Sequence, residues 1–391
     1  MPMPLDPKEP SARPLSAVVL AAGAGTRMRS ERPKPLHRLC GRPMVLHVLH
    51  ALVGVGVDRV VVVIGHGGDR VAKAIGELVP PGLAVDFVEQ RVQRGTGDAL
   101  AVAMTALDDD PDDAGDLLVL PGDTPLLRPG TLSALVADHR SGESAATLLT
   151  ARLADPTGYG RVVRGRGGGV ARVVEQADAT DEQRALDEVN TSVYVFRRSV
   201  LRPALRRVSP DNAQGEYYLT DVVGVLHDAG YGVGAVEVVD PVEVSGVNDR
   251  AQLARTEAEL RRRVNERWMQ AGVTMLDPAH TYLDVTVELA PDVSLYPGTI
   301  LQGATIVGAG AEIGPSTQLA DCRVGARAVV RATVGHGAEV GADAQVGPWA
   351  YLPPGTSVPV GSVTGPGFSA SVDGETPGRA ENAHDRAGHH P

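Results

Sequence analysis

The chain has 391 residues, 43% of them hydrophobic and 3% aromatic, and a formal net charge of −11 at pH 7. This length suffices for two or three domains with full cores, and the acidic balance argues against nucleic acid or an anionic membrane as a general partner. Its two cysteines cannot build a disulfide framework, no uncharged apolar run reaches transmembrane length, and residues 1–14 lack the apolar region of a signal peptide. We therefore expect a cytoplasmic globular protein with no membrane insertion.

Residues 1–14 are predicted to be a flexible lead, and residues 15–250 to form one α/β domain. Apolar strand-like segments alternate there with helix-like segments, a pattern typical of a parallel sheet covered on both faces. Strands are predicted at residues 17–22, 59–64, 84–88, 117–120, 145–150, 170–174 and 193–196. Helices are predicted, for example, at residues 43–52, 69–78, 97–106 and 131–139. Because such sheets bind ligands at the carboxyl ends of their strands, the loops that follow strands are the candidate site.

The first predicted strand runs into the loop Gly23-Ala24-Gly25-Thr26-Arg27-Met28, which is followed by Pro33-Lys34-Pro35. Backbone N–H groups on a glycine turn, together with two cations, make a pocket for a polyphosphate. A dinucleotide-binding fingerprint would need a third glycine where Met28 stands, and a P-loop would need Gly-Lys-Ser/Thr, which is absent. Two interpretations remain: the Gly-x-Gly-Thr-Arg-Met loop of sugar nucleotidyltransferases, or an ordinary turn between a strand and a loop.

Further polar clusters lie at the ends of later strands. They contain the residues Gln90, Gly95, Thr96, Gly122, Asp123, Gly160, Glu175, Asn190 and Asn248. Each cluster taken singly is a weak signal, because aspartate or asparagine after a strand is most often a turn former or a helix cap.

The second half of the chain changes its periodicity. Residues 251–280 are predicted to form a charged helical linker between domains. From residue 281 to residue 356 apolar residues recur every six positions, at Leu295, Leu301, Val307, Ile313 and Leu319 and then, after a slip, at Val334, Val340, Val346 and Leu352. A hexapeptide apolar period predicts a parallel β-helix in which each coil buries a column of side chains. Residues 357–391 lack this period and are predicted to be a disordered tail.

Taken in order, these clusters resemble those of the bacterial bifunctional N-acetylglucosamine-1-phosphate uridylyltransferase/glucosamine-1-phosphate acetyltransferase family, most closely its actinobacterial members. The resemblance covers about residues 15–352. It also includes the segments Pro33-Lys34-Pro35-Leu36-His37, Asp178-Ala179-Thr180, Tyr217-Tyr218-Leu219-Thr220-Asp221 and Ala271-Gly272-Val273-Thr274. It implies a Rossmann-like nucleotidyltransferase domain with a mixed, mostly parallel sheet, followed by a short left-handed parallel β-helix that assembles as a homotrimer.

The same resemblance implies roles for individual positions. The loop with Leu20, Ala22, Gly23, Gly25 and Thr26 is expected to bind the uridine nucleotide, and Arg27 and Lys34 its phosphates. The expected contacts to uracil and the nucleoside come from Gln90, Gly95 and Thr96, and those to the amino sugar from Gly160, Glu175 and Asn190. Gly122 is a further expected substrate-binding residue. Asp123 and Asn248 are the expected Mg²⁺ ligands, so that Arg27, Lys34 and Asp123 form the catalytic set.

The implied reaction is uridylyl transfer from UTP to N-acetylglucosamine 1-phosphate, which yields UDP-N-acetylglucosamine for cell-wall peptidoglycan synthesis. The nucleophile is a phosphate anion at neutral pH and therefore needs no general base, so the barrier is mainly charge repulsion and alignment. Two alternatives stay open: a nucleotidyltransferase for another sugar 1-phosphate, and a non-catalytic paralogue that binds a UDP-sugar.

The chain departs from the family pattern at several positions. Asp98 replaces the usual histidine, Ser192 the usual glycine, and Asp249 stands where asparagine is common. The acetyltransferase motif Leu-Arg-Pro-Gly-Thr becomes Leu352-Pro353-Pro354-Gly355-Thr356, and the family's further coils with the acetyl-transfer histidine are not in this sequence. Acetyltransferase activity is therefore expected to be absent.

Overall fold

The structure is a computed structural model that describes residues 13–65, 68–107 and 115–370. Its contacts divide the chain into two compact units, one formed by residues up to 39 and 43–256 and the other by residues 40–42 and from 257 onward. Most of the predicted flexible lead, and the predicted tail from residue 371, lie outside the described residues. None of the described helices is long and apolar enough to cross a membrane.

The first unit is built on a nine-stranded sheet with the path β11-β7-β10-β6-β1-β4-β5, to which β8 is added beside β10 and β9 beside β8. The strands of this unit, including the short pair β2 and β3, are β1 (Leu15–Ala21), β2 (Arg38–Leu39), β3 (Arg42–Pro43), β4 (Arg59–Ile64), β5 (Val85–Glu89), β6 (Asp116–Pro121), β7 (Ala146–Arg152), β8 (Arg161–Arg164), β9 (Val170–Val174), β10 (Glu188–Arg197) and β11 (Val233–Glu237). The pairs β1–β4, β1–β6, β4–β5 and β7–β11 are parallel, whereas β10 is antiparallel to β6, β7 and β8. The predicted mixed, mostly parallel sheet is thus confirmed.

Helices cover both faces of this sheet. The helices of the first unit are α1 (Met44–Leu52), α2 (Gly68–Gly76), α3 (Thr96–Met104), α4 (Pro129–Ser141), α5 (Asp181–Arg184), α6 (Arg198–Leu205) and α7 (Asp221–Asp228); α8 (Arg250–Gln270) begins in this unit and continues in the second. Successive side chains of β1 alternate between the faces, so Ala17 and Val19 pack in the core with α1, α2 and α4, while Val18 packs with α3, α6 and α7. Burial on both faces explains why β1 is apolar throughout instead of alternating with polar residues.

The start of β10 and several other elements of the first unit were not predicted. The strand predicted at 193–196 begins five residues earlier, at Glu188, because a charged partner satisfies its polar start: Arg164 pairs with the buried Glu188 carboxylate at 2.6 Å. A bulge between Asn190 and Val193 interrupts its pairing with β7, and Ser192 there has a φ of 60°. Strands β8 and β11 were not predicted, and the helices given as examples from the sequence did not include α5, α6 and α7.

The second unit is a left-handed parallel β-helix, as predicted. Its strands are β12 (Thr274–Met275), β13 (Tyr282–Leu283), β14 (Glu288–Leu289), β15 (Ser294–Leu295), β16 (Ile300–Gln302), β17 (Ile306–Val307), β18 (Glu312–Ile313), β19 (Gln318–Ala320), β20 (Arg323–Val324), β21 (Val329–Val330), β22 (Val334–His336), β23 (Glu339–Val340), β24 (Gln345–Val346), β25 (Tyr351–Leu352) and β26 (Ser357–Val358). Every third strand pairs in parallel, which produces three five-stranded sheets. The pairing begins at Thr274, within the predicted linker, and β26 lies within the predicted tail.

One predicted core position of the β-helix is wrong. Val334 is 48% exposed, and Gly335 instead takes the inward place between Leu319 and Leu352. The reason is coil length: Leu295 pairs with Ile313, 18 residues on, whereas Leu319 pairs with Gly335, 16 residues on. Glycine fits because a Cβ there would lie 2.9 Å from the Leu319 side chain.

Candidate active site

The glycine loop after β1 is shaped by a close approach to Lys34. Gly25 has a φ of 61°, and a Cβ at this position would lie 2.7 Å from the Cβ of Lys34. An L-residue would therefore be both strained and obstructed here. Residues Thr26–Met28 then form a short 3-10 turn, in which Met28 is buried and Arg27 is left near the surface.

Lys34 lies at the centre of a polar cluster assembled from three distant parts of the chain. Its Nζ donates to Asp123 Oδ2 at 2.5 Å and to Asn248 Oδ1 at 2.9 Å, and Arg27 Nη2 donates to the same Asn248 oxygen at 3.0 Å. Asp123 follows β6 and Asn248 precedes α8. The side chains of Lys34 and Asp123 are only 13% and 25% exposed, so this cluster is partly shielded from water.

The oxygens of this cluster fit a hard divalent cation. No group of three or more histidine, cysteine or acidic residues suited to a metal occurs in the described parts of the chain. Mg²⁺ does not need one, because it commonly binds through one or two protein oxygens and takes its other ligands from water and substrate phosphates. The Asp123 carboxylate and the Asn248 amide oxygen already converge on one cation, the Lys34 ammonium group.

A cavity of about 610 Å³ opens beside this cluster. Among the predicted site residues it is lined by Leu20, Ala22, Gly23, Gly25, Thr26, Arg27, Lys34, Gln90, Gly95, Thr96, Gly122, Asp123, Glu175 and Asn248. Half of the residues that line this cavity were therefore named from the sequence, although they come from separate segments of the chain.

Backbone geometry fixes the far end of this cavity. Gly95 has a φ of 110°, and a Cβ there would lie 2.5 Å from the Tyr217 carbonyl oxygen. Gly97 N donates to that same oxygen at 2.8 Å, and Leu219 N donates to Thr96 Oγ1 at 3.0 Å. The N-terminal end of α3 is thus joined closely to the segment before α7.

A second cavity of about 290 Å³ lies next to the first. It contains Asn190, whose Nδ2 donates to the Tyr194 hydroxyl at 2.7 Å and whose buried Oδ1 has no partner among the described residues. The two cavities share the residues Arg27, Pro121, Asp123, Ser192 and Asn248. The Lys34 cluster therefore lies at the boundary between two spaces, each of which can hold a separate ligand.

Glu175 provides a buried carboxylate in the larger cavity. Burial raises its pKa above the ordinary value, opposed by a hydrogen bond that Thr220 Oγ1 donates to it at 2.9 Å. Gly160 does not line either cavity, but a Cβ there would lie 3.5 Å from both carboxylate oxygens of Glu175. Gly160 is thus a close neighbour of the Glu175 carboxylate, although a side-chain carbon at this position would only be in ordinary van der Waals contact with it.

Several lining residues were not assigned a role from the sequence. They are Met44, Gln93, Tyr159, Ser192, Tyr194, Gln214, Glu216, Tyr218 and Gln252. Gln93 lies within a polar cluster that was noticed, and its Nε2 donates to the Ala22 carbonyl oxygen at 2.5 Å. Tyr218 belongs to a segment that carried the family resemblance; burial, together with nearby carboxylates, raises its pKa to about 12. Gln214 and Glu216 had no sequence signal, since they lie in an irregular segment.

A family model for the MobA-like NTP transferase domain matches residues 17–220, just over half of the chain. The chain therefore belongs to the family of proteins with this NTP transferase domain, as the loop geometry and the mixed sheet also indicate.

More particularly, the chain is similar to curated proteins named bifunctional protein GlmU. The protein from Mycolicibacterium vanbaalenii is 50% identical over 290 residues, which are 73% of this chain and 58% of that protein. Those from Pelotomaculum thermopropionicum and Mycobacterium bovis are each 48% identical over 285 residues, covering 73% of this chain and 60% and 57% of the relatives. The resemblance inferred from the sequence motifs is confirmed. This chain matches about three fifths of the length of these relatives.

Proposed function

We propose that the protein transfers the uridylyl group of UTP to N-acetylglucosamine 1-phosphate, which forms UDP-N-acetylglucosamine and pyrophosphate. The observation that carries the proposal is the position of Arg27, Lys34, Asp123 and Asn248 at the boundary of two cavities. The larger cavity is assigned to UTP and the smaller one to the sugar phosphate. The identity to the GlmU relatives supports the same assignment.

The chemistry asked of the protein is charge neutralisation and alignment. The attacking phosphate oxygen is already an anion at neutral pH, so no side chain has to remove a proton from it. Arg27 is suited to a bidentate contact with phosphate oxygens, and Lys34 to a point-charge contact. Both cations lie where phosphates from the two cavities would meet, so they reduce the repulsion between the substrates and hold them in line.

Asp123 and Asn248 are the residues that would hold Mg²⁺. Their oxygens form a hard donor set and already share one positive group, the ammonium of Lys34. Once bound, the ion would supply additional charge neutralisation at the phosphates.

The smaller cavity supports an N-acetylated sugar as the acceptor. The unpartnered buried oxygen of Asn190 is an acceptor, and the acetamido N–H of an N-acetylated sugar is a donor that can pair with it. Leaving a buried acceptor unpaired costs about 1–3 kcal/mol, so a sugar that places a donor at this oxygen is favoured. Glu175 lines the larger cavity together with Tyr194, the hydrogen-bond partner of Asn190, so it is placed to accept a hydrogen bond from a sugar hydroxyl that reaches across the boundary between the two cavities.

A substrate panel tests this proposal. Purified protein with UTP and Mg²⁺ is offered N-acetylglucosamine 1-phosphate, glucose 1-phosphate and glucosamine 1-phosphate, and pyrophosphate release is measured. We expect the N-acetylated sugar to be used best. Preference for another sugar would establish a nucleotidyltransferase for that sugar 1-phosphate instead. UDP-sugar binding without any pyrophosphate release would establish a non-catalytic role.

The expectations about acetyl transfer, oligomeric state and localisation are also proposals. We propose that acetyl transfer is absent, because Pro353 replaces the arginine of the family motif, and acetyl-CoA with glucosamine 1-phosphate is the expected blank in the panel. We also propose a cytoplasmic homotrimer that associates through the β-helix, where Val334, Trp349 and Tyr351 are 48%, 74% and 49% exposed. Sedimentation equilibrium measures the mass of this assembly.

A further inference from the structure

The side chain of Gln90 is held in one orientation by two acceptors. It is 4% exposed and lines the larger cavity. Its Nε2 donates to the Gly95 carbonyl oxygen at 3.1 Å and to Asp98 Oδ2 at 2.8 Å. A backbone carbonyl and a carboxylate can only accept hydrogen bonds, so the amide nitrogen has to face them and the amide cannot flip without losing both.

This arrangement uses both amide hydrogens of Gln90. Its amide oxygen has no hydrogen-bond partner among the described residues and is the polar atom left for a ligand in the cavity. Gln90 therefore presents a hydrogen-bond acceptor to the ligand, although a freely rotating glutamine amide could present either a donor or an acceptor.

Asp98 is itself held firmly in place. It lies in the first turn of α3, where a negative charge is favoured by the helix dipole, and its side chain is 12% exposed. Its other carboxylate oxygen, Oδ1, accepts from Arg94 Nη2 at 2.9 Å. Each carboxylate oxygen thus has its own partner, and Oδ2 remains directed at Gln90.

We propose that Asp98 is a positioning residue for nucleobase selection, since it forces Gln90 to present its oxygen to the base. This inference rests on the proposed uridylyltransferase function and deepens it. Uracil carries an N–H on the ring nitrogen between its two carbonyl groups, whereas the corresponding nitrogen of cytosine is an acceptor. Gln90 therefore pairs with uracil and faces an acceptor in cytosine, so the site discriminates against CTP.

The usual family residue at this position, histidine, would not impose the same constraint. An imidazole ring nitrogen donates or accepts according to its tautomer, whereas a carboxylate only accepts. An acidic residue near a nucleotide looks unfavourable on charge alone. Asp98 nevertheless fixes the orientation of the Gln90 amide, which histidine would not do.

The test compares UTP with CTP in Asp98→Asn. Asparagine has nearly the same size, but its amide can offer either an oxygen or an NH₂ group, so a flip of Gln90 then loses only the contact with the Gly95 carbonyl oxygen. We expect the ratio of kcat/KM for UTP to that for CTP to fall about tenfold, which corresponds to about 1.4 kcal/mol. Most of the change should lie in KM. Asp98→Glu, which keeps an acceptor-only group, should retain most of the preference.

Arg94→Gln is the matched control. It removes the other partner of Asp98 but leaves the contact between Asp98 and Gln90, and the exposed ion pair contributes little. Its UTP-to-CTP ratio should stay within about twofold of the wild-type value. An unchanged ratio in Asp98→Asn, or an equal loss for both nucleotides, overturns the inference.

Binding measurements separate this inference from the proposed function. Titration calorimetry with UTP and CTP reports the same ratio without turnover. If the wild-type protein releases no pyrophosphate but Asp98→Asn loses its preference in binding, the proposed function fails and the inference stands. If turnover is normal and the binding ratio is unchanged, the inference fails alone.

Discussion

Replacing Asp123 with asparagine should separate catalysis from folding. The substitution keeps the size of the side chain and one acceptor oxygen, but removes the negative charge that faces Lys34 Nζ at 2.5 Å. The cluster then loses its charged oxygen ligand for a divalent cation, while Asn248 and Arg27 keep their mutual contact at 3.0 Å. Turnover should therefore decrease strongly while the fold persists.

The two effects differ greatly in size. Loss of one electrostatic stabiliser of a transition state typically lowers the rate about 10²–10³-fold, or roughly 3–4 kcal/mol. The Asp123 side chain is 25% exposed, and solvent-screened ion pairs of this kind contribute about 1 kcal/mol or less to folding. For a unit of this size that corresponds to a decrease in Tm of about 2–4 °C.

The assay follows pyrophosphate release with saturating UTP and N-acetylglucosamine 1-phosphate over a range of Mg²⁺ concentrations, with Tm measured in parallel. Asp249→Asn is the matched control, because the same chemical change is made one residue from Asn248, where the carboxylate caps Gln252 N at 2.7 Å. Asp123→Ala and Lys34→Ala should abolish turnover with the fold intact. Full activity in Asp123→Asn, or an equal loss in Asp249→Asn, would refute the reasoning.

Three further predictions concern the rest of the molecule. Burial raises the pKa of Glu175, so the contribution of this carboxyl group to the free energy of unfolding is greatest at low pH and is lost as the pH rises through the raised pKa. Glu175→Gln should therefore raise Tm at neutral pH while raising KM for the sugar phosphate, and a lowered Tm would contradict this. Gly95→Ala should weaken UTP binding at least tenfold in calorimetry, because its Cβ meets the Tyr217 carbonyl; Gly230→Ala, with positive φ in open space, is the control, and equal UTP affinity in both variants would refute it. Leu319→Ala, at a fully buried site, should destabilise the β-helix by about 2–5 kcal/mol in denaturant unfolding, and a cost below about 1 kcal/mol would contradict the packing.

Much of the candidate site could be predicted from the sequence because its parts follow strands. Gly23, Gln90 and Asp123 each come shortly after an apolar strand, and the strands β1, β5 and β6 run parallel within one sheet. Their carboxyl ends therefore meet at one edge, whatever the distance along the chain. The roles of these residues in binding and catalysis stay predictions.

Other features could not be predicted because they depend on tertiary partners. The Glu188 end of β10 is polar and is stabilised by an ion pair with Arg164, which lies nearby only in the folded sheet. In the β-helix, Gly335 replaces an apolar residue in the core because the coil shortens there, and a six-residue period does not reveal which position is lost. Long-range strand pairing determines both the start of β10 and the inward position of Gly335, and the local sequence pattern does not indicate this pairing.

The antiparallel strand β10 explains how the two cavities come to share a boundary. In its register with β6, Tyr194 faces Val119 and Phe196 faces Leu117, so the same register places Ser192 level with Pro121, the last residue of β6, and earlier residues beyond it. Asn190 is thereby carried past the strand end that leads to Asp123. The bulge between Asn190 and Val193 then leaves Ser192 lining both cavities. A parallel strand would have run the other way, so one reversed strand is what brings the smaller cavity to the phosphate cluster.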